Sequence, residues 1–119
     1  MNVEDVRDYC LSLPGVEETL PFGPETLVFK VMGKIFCLVS LDEPELRCNV
    51  KCDPERAIEL RELHTGVIPG YHMNKQHWNT LVFDGSFSPA DARGWIYDSY
   101  ALVATSLPAK LRTELRSLS

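Results

Sequence analysis

The run Leu46–Cys52 constrains the fold more than any other stretch of the chain. Leu46, Cys48, Val50 and Cys52 alternate with Arg47, Asn49 and Lys51. A period of two puts the apolar side chains on one face and the polar ones on the other. Such a strand suits a sheet packed on one side and wet on the other, which is the habit of antiparallel sheets. Asp53-Pro54-Glu55 follows at once. An N-cap Asp, a Pro at the first helical position and an acid in the first turn together start a helix. It is expected to run to about His64, with Ala57, Ile58, Leu60, Arg61 and Leu63 on a mixed buried face and Gly66 as its C-terminal glycine.

The rest of the chain obeys the same grammar. Asn2 caps a helix to Leu13, with Val3, Val6, Tyr9, Cys10 and Leu13 on its apolar face, and Pro14-Gly15 ends it. Val16–Glu25 reads as a short extended entry broken by Pro21, Gly23 and Pro24. Glu17 and Glu18 are neighbours there, so on extended chain they point to opposite faces and cannot converge on one substrate atom. Thr26–Met32 and Lys34–Leu41 flank Gly33 as a β-hairpin. Trp78–Phe83 is a further strand. Ser88-Pro89-Ala90-Asp91 repeats the cap pattern before a helix to about Ser106, and Pro108 opens a last helix striped by Leu111, Leu115 and Leu118. Three strands before the second helix and at least one after it predict an α+β domain, an antiparallel sheet with helices on one face. With 119 residues and no linker or repeat, residues 1–119 form one compact domain.

Between the second helix and the strand at Trp78 lies a loop rich in chemistry, with His72, Asn74, Lys75 and His77. A long loop without secondary structure inside a compact domain is usually functional or disordered. Tyr71 and Trp78 argue for order, and both are expected to anchor the loop by burial. His72 and His77 are five apart, which is not the i, i+4 spacing of a helical metal pair, and no acidic or cysteine partner is near. No metal or other cofactor is therefore expected. Asp84 and Ser86 supply triad residue types without a G-x-S-x-G elbow. No catalytic residue is assigned, and the chain is read as a binding protein, not an enzyme. No phosphate-loop spacing is present, although Lys75 beside Asn74 could meet an anion.

Charge narrows the partners. The formal net charge is -5, which counts against tight nonspecific nucleic-acid binding. A local basic face is still available, because Lys30, Arg47 and Lys51 share the outer side of the sheet in this reading and Lys34 sits at a hairpin tip. No apolar run nears the roughly 18 residues of a membrane span, and the acidic start Met-Asn-Val-Glu-Asp-Val is no signal peptide. A cytoplasmic location and no membrane partner are expected. Cys10, Cys37, Cys48 and Cys52 form no C-x-x-C pair. They read as reduced, mostly buried small hydrophobes.

The loop sequence His-Met-Asn-Lys-Gln-His-Trp-Asn-Thr, followed by Asp-Gly-Ser, resembles the MmcQ/YjbR-like family of small bacterial proteins. The same pattern takes in Tyr9-Cys10, Leu13-Pro14-Gly15-Val16-Glu17, Pro21-Phe22-Gly23, Lys34-Ile35-Phe36 and Lys51-Cys52-Asp53-Pro54. The resemblance implies a fold likened to CyaY and to secretion chaperones. It also implies weak, salt-dependent DNA binding through a double wing of β-hairpins. Carried onto this sequence, that function would fall to Lys30, Lys34, Arg47, Asn49, Lys51 and Lys75. A protein-interaction or chaperone-like adaptor using the same face is the alternative.

Overall fold

The computed structural model describes residues 1–71 and 73–118. Its elements in chain order are α1 (Val3–Ser12), β1 (Val16–Thr19), β2 (Thr26–Val31), β3 (Lys34–Ser40), β4 (Arg47–Lys51), α2 (Pro54–Leu63), β5 (Val67–Pro69), β6 (Trp78–Val82), α3 (Pro89–Thr105) and α4 (Ala109–Ser117). The six strands form one sheet of order β1-β2-β3-β4-β6-β5, antiparallel at every pairing. The expected α+β class and single sheet are what the chain adopts.

Local chemistry explains the helices. Asn2 accepts from the Asp5 N–H while Asp5 accepts from the Asn2 N–H, and Ser88 with Asp91 closes the same reciprocal box on α3. Asp53 caps α2 by accepting from the Arg56 N–H. All four helices bury residues in one core with the sheet: Val6 and Cys10 from α1, Ala57 and Leu60 from α2, Trp95, Ile96 and Val103 from α3, Leu115 from α4. The strands contribute Phe29, Val31, Cys37, Val39, Cys48, Val50 and Leu81 to that core. The opposite face of the sheet therefore carries no helix.

Three differences from the sequence reading matter. Val16–Thr19 is a strand at the sheet edge, and Val67–Pro69 is a strand at the other edge. Gly66 is not a left-handed helix cap, since α2 ends on an extended His64. Its value is close approach: a Cβ there would run into the Val82 carbonyl oxygen. Finally, the β2–β3 register slips after Phe29, so that Phe36 is an extra residue opposite no partner and turns into the core beside Cys37.

Candidate functional site

The register decides what the open face presents. Paired residues on antiparallel strands point to the same side. Cys48 and Val50 belong to the helix-side core, so Asn49 between them faces away. Asn49 is paired with Leu38 on β3 and Thr80 on β6, Leu38 with Val28 on β2, and Ser40 with Thr26. Val28 and Leu38 are buried, yet neither belongs to the helix-side core. The centre of the open face is thus apolar, where the sequence reading placed a wet, basic surface.

Two connections bring side chains over this face. Residues 20–25 supply Phe22, and residues 70–77 supply Met73. With Thr26, Ile35, Leu38, Ser40 and Asn49 they enclose a groove of about 370 Å³. Phe22 is 64% exposed, so an aromatic ring stands at the rim with little protein against it. The groove's polar wall is asymmetric. The Thr80 hydroxyl donates to Asn49 Oδ1 at 2.5 Å, which occupies an acceptor of that amide and leaves its Nδ2 hydrogens to serve as donors.

The six residues expected to carry positive charge or contact DNA do not all share one face. Lys30 is paired across the sheet with Glu17. Arg47 is bound to Glu45 at 2.8 Å, and this carboxylate raises its pKa, first by hydrogen bonding. Lys34 is paired with Val31, a helix-side residue, so it is not on the face of Lys30. Lys51 is opposite Trp78, and among the described residues neither Lys51 nor Lys30 forms an ion pair. Lys75 lies on the loop with its Nζ 5.1 Å from the Tyr71 ring centre.

The described residues of the loop are held in place, but not as the sequence suggested. Tyr71 is 62% exposed and anchors nothing by burial, while Trp78 is half-buried. Arg61 of α2 does the anchoring: its Nε–H donates to Asn79 Oδ1 at 2.7 Å, and its Nη2 donates to the Lys75 carbonyl and reaches that of Trp78. The sequence placed Arg61 on the mixed buried face of α2 but gave it no role; an Arg among apolar positions was the signal of a partner. Asn74 accepts from the Gln76 N–H through its side chain and from the His77 and Trp78 N–H groups through its carbonyl. The His77 carbonyl accepts from the Cys52 N–H at 2.7 Å. His72 lies outside the described residues.

The triad-like residues are spent on a turn. Asp84 Oδ1 accepts from the Ser86 N–H, its Oδ2 accepts from the Thr65 hydroxyl, and Ser86 Oγ accepts from the Gly66 N–H. The ring of His64 meets the Ser86 carbonyl, not its hydroxyl. All four cysteines are free and buried. Cys37 is held well above the ordinary thiol range, by hydrogen bonding of its thiol with Cys10 and Cys48 and then by burial. Such thiols are poor nucleophiles. Among the described residues no group of three His, Cys, Asp or Glu is placed to hold a metal ion, and no helix is long and apolar enough to cross a membrane.

Comparison with known proteins fixes the lineage. Residues 11–102 match the YjbR family. The chain belongs to the YjbR family. It is 39% identical to Escherichia coli YbdF over 117 residues, covering 95% of this chain and 93% of that protein. It is 30% identical to Escherichia coli YjbR over 118 residues, covering 99% of this chain and all of that protein. Both relatives are described as uncharacterised. Among solved structures, a Deinococcus radiodurans protein with a DUF419 domain superposes with TM-score 0.89 at 40% identity, over 96% of this chain and 87% of that one. A Pseudomonas syringae protein superposes with TM-score 0.74 at 27% identity, over 86% of this chain and 98% of that one. Every groove residue, from Phe22 to Met73, lies within the segment that matches the YjbR family.

Proposed function

We propose that this YjbR-family chain is a non-catalytic binding module whose working surface is the open face of the sheet, and that its partner is a polypeptide. The observation that carries the reading is the groove of about 370 Å³ between the two loops. Concave, mostly apolar sites with a few placed polar groups are where proteins take ligands. An exposed aromatic beside such a pocket is the usual anchor of a protein interface. A binding role, as opposed to catalysis, is supported by Asp84, Ser86 and His64, whose hydrogen bonds are all committed to the turn. A reducing cytoplasmic setting is part of the proposal, supported by four unpaired cysteines.

Duplex DNA is the rival partner, implied by the family resemblance. It would have to use Lys30, Lys51 and Lys75, because phosphate contacts dominate affinity. Glu17 opposite Lys30 and Glu45 on Arg47 weaken that surface, and the groove at the centre of the face has no cationic lining residue for a phosphate.

The test is a random-peptide display selection on the wild-type protein, counter-screened on Phe22→Asp. The expected result is a set of peptides that bind the first and not the second. Peptides indifferent to Phe22→Asp would overturn the proposal. So would duplex binding by fluorescence anisotropy that falls steeply with salt and is lost in Lys30→Ala with Lys51→Ala.

A further inference from the structure

The groove sets an apolar lining against one amide that keeps its donors, that of Asn49, and this narrows the partner. Asn49 Oδ1 accepts from Thr80, so the amide keeps its Nδ2 hydrogens as donors. Lys51 lies two residues along β4 from Asn49, on the same face. Residues i and i+2 of a strand are about 7 Å apart. Lys51 is not ion-paired among the described residues, and its cross-strand neighbour is Trp78, not a carboxylate. The groove itself has no acidic lining residue.

Resting on the binding-module reading, we infer that the open face takes an acidic polypeptide segment that pairs one bulky apolar side chain with a carboxylate one or two residues away. The apolar side chain fills the space between Phe22, Ile35, Leu38 and Met73. The carboxylate meets Lys51, and a neighbouring main-chain carbonyl accepts from Asn49 Nδ2. Lys30 adds positive charge on the same face, reduced by Glu17. Arg47 adds little, since Glu45 already holds it. The charge complementarity here is local: in a chain of net charge -5, Lys51 and Lys30 lie on the face that holds this groove.

The experiment uses labelled peptides of about a dozen residues with a central Phe flanked by Glu, by Gln or by Lys, and reads anisotropy. The proteins are wild type, Phe22→Asp, Met73→Asp and Lys51→Glu, each checked for an unchanged melting temperature. The Glu peptide is expected to bind about two- to five-fold more tightly than the Gln peptide at low salt, as one exposed charge pair allows. The Lys peptide binds most weakly. Phe22→Asp and Met73→Asp abolish binding of all three. Lys51→Glu reverses the order of the Glu and Lys peptides, which a merely structural role for Lys51 would not do. Equal binding of the three peptides, still lost in Phe22→Asp, would overturn the acidic preference and leave the groove reading standing. Binding of none of them, with dodecanoate bound in the same groove, would overturn the polypeptide partner altogether.

Discussion

The hydroxyl of Ser99, on α3, donates to the carbonyl of Phe36 at 2.6 Å. The same oxygen accepts the Lys51 N–H at 2.8 Å. Cys37 is paired with Val50, so Phe36 and Lys51 are the next couple along the β3–β4 ladder. The bulge at Phe36 breaks that rung, and a buried helical serine takes both of its loose ends. The bulge is thereby accommodated without leaving the Phe36 carbonyl or the Lys51 N–H unpaired.

Ser99→Ala should therefore be costly for so small a change. It strands a buried donor and a buried acceptor, at about 1–3 kcal/mol for each group left unpaired. Urea unfolding should show a lower midpoint with an unchanged slope. Ser99→Thr, which keeps the hydroxyl, should recover part of the loss. A neutral Ser99→Ala would mean that the two strands close the rung by themselves.

Gly66 and Gly94 separate two reasons for a glycine. Gly66→Ala would drive a Cβ into the Val82 carbonyl and toward Asp84 Oδ1, which lies 2.6 Å from its ideal position. Overpacking of this kind costs about 1–3 kcal/mol, and more where backbone must move. Gly94 sits inside α3 with nothing within 4 Å of a new Cβ. Gly94→Ala should stabilise by about 0.5–1 kcal/mol through helix propensity and lost chain entropy. Thermal melts of the two variants should move in opposite directions.

The elements that could be read in the sequence are those whose cause is local. Asn2, Asp53 and Ser88 each cap a helix with a partner three residues on, and the alternation Arg47–Lys51 needs no neighbour to be seen. β1 and β5 escaped because their strand character is conferred by β2 and β6: a Glu-Glu-Thr run and a Val-Ile-Pro run carry no period of their own. The groove escaped for a different reason. Ile35–Val39 is an unbroken apolar run, the mark of a strand covered on both faces, and Val28 breaks the alternation of β2 in the same sense. Those two signals pointed to a second apolar surface, but the loops that wall it come from residues 20–25 and 70–77, distant in sequence. Tyr71 was expected to be buried because aromatics usually are; its ring instead stands beside Lys75 in solvent.

The acid limb of stability has two separable sources. The Ser86 side chain, then its N–H, and the Thr65 hydroxyl hold the Asp84 carboxyl below its ordinary range. Arg7 does the same for Glu18, first by its hydrogen bonds at 2.7 Å and then by its charge. A carboxylate whose pKa is lower folded than unfolded adds stability above the unfolded value, about 3.9 for Asp and 4.3 for Glu, and loses it as pH falls through the folded one. Melting temperature should therefore fall from about pH 5 downward, and Asp84→Asn or Glu18→Gln should each flatten that fall. High salt should erase much of the Glu18 share, which is an exposed ion pair. It should spare the Asp84 share, whose donors are uncharged. Curves of the two variants at low and high salt decide the matter.

Arg61 and Asn79 should behave as one unit. The guanidinium donates to Asn79 Oδ1 and to the loop carbonyl of Lys75, while Asn79 Nδ2 has no partner among the described residues. Arg61→Met would leave the buried amide with neither atom bonded, a loss of about 1–3 kcal/mol. Asn79→Leu would remove that demand but deprive the guanidinium of a partner. Combining the two replaces both polar groups by apolar ones, which can be nearly neutral. The double variant should fall short of the sum of the singles by about 0.5–3 kcal/mol. Hydrogen exchange supplies the second readout. In Arg61→Met the amides of Met73, Gln76 and Trp78, each bonded within the loop, should exchange faster, while that of Lys51, held by Ser99, should not. Additive losses with an unchanged loop would show that Arg61 merely packs against α2's neighbours. A coupled loss with a loosened loop would establish it as the residue that holds Met73 over the groove.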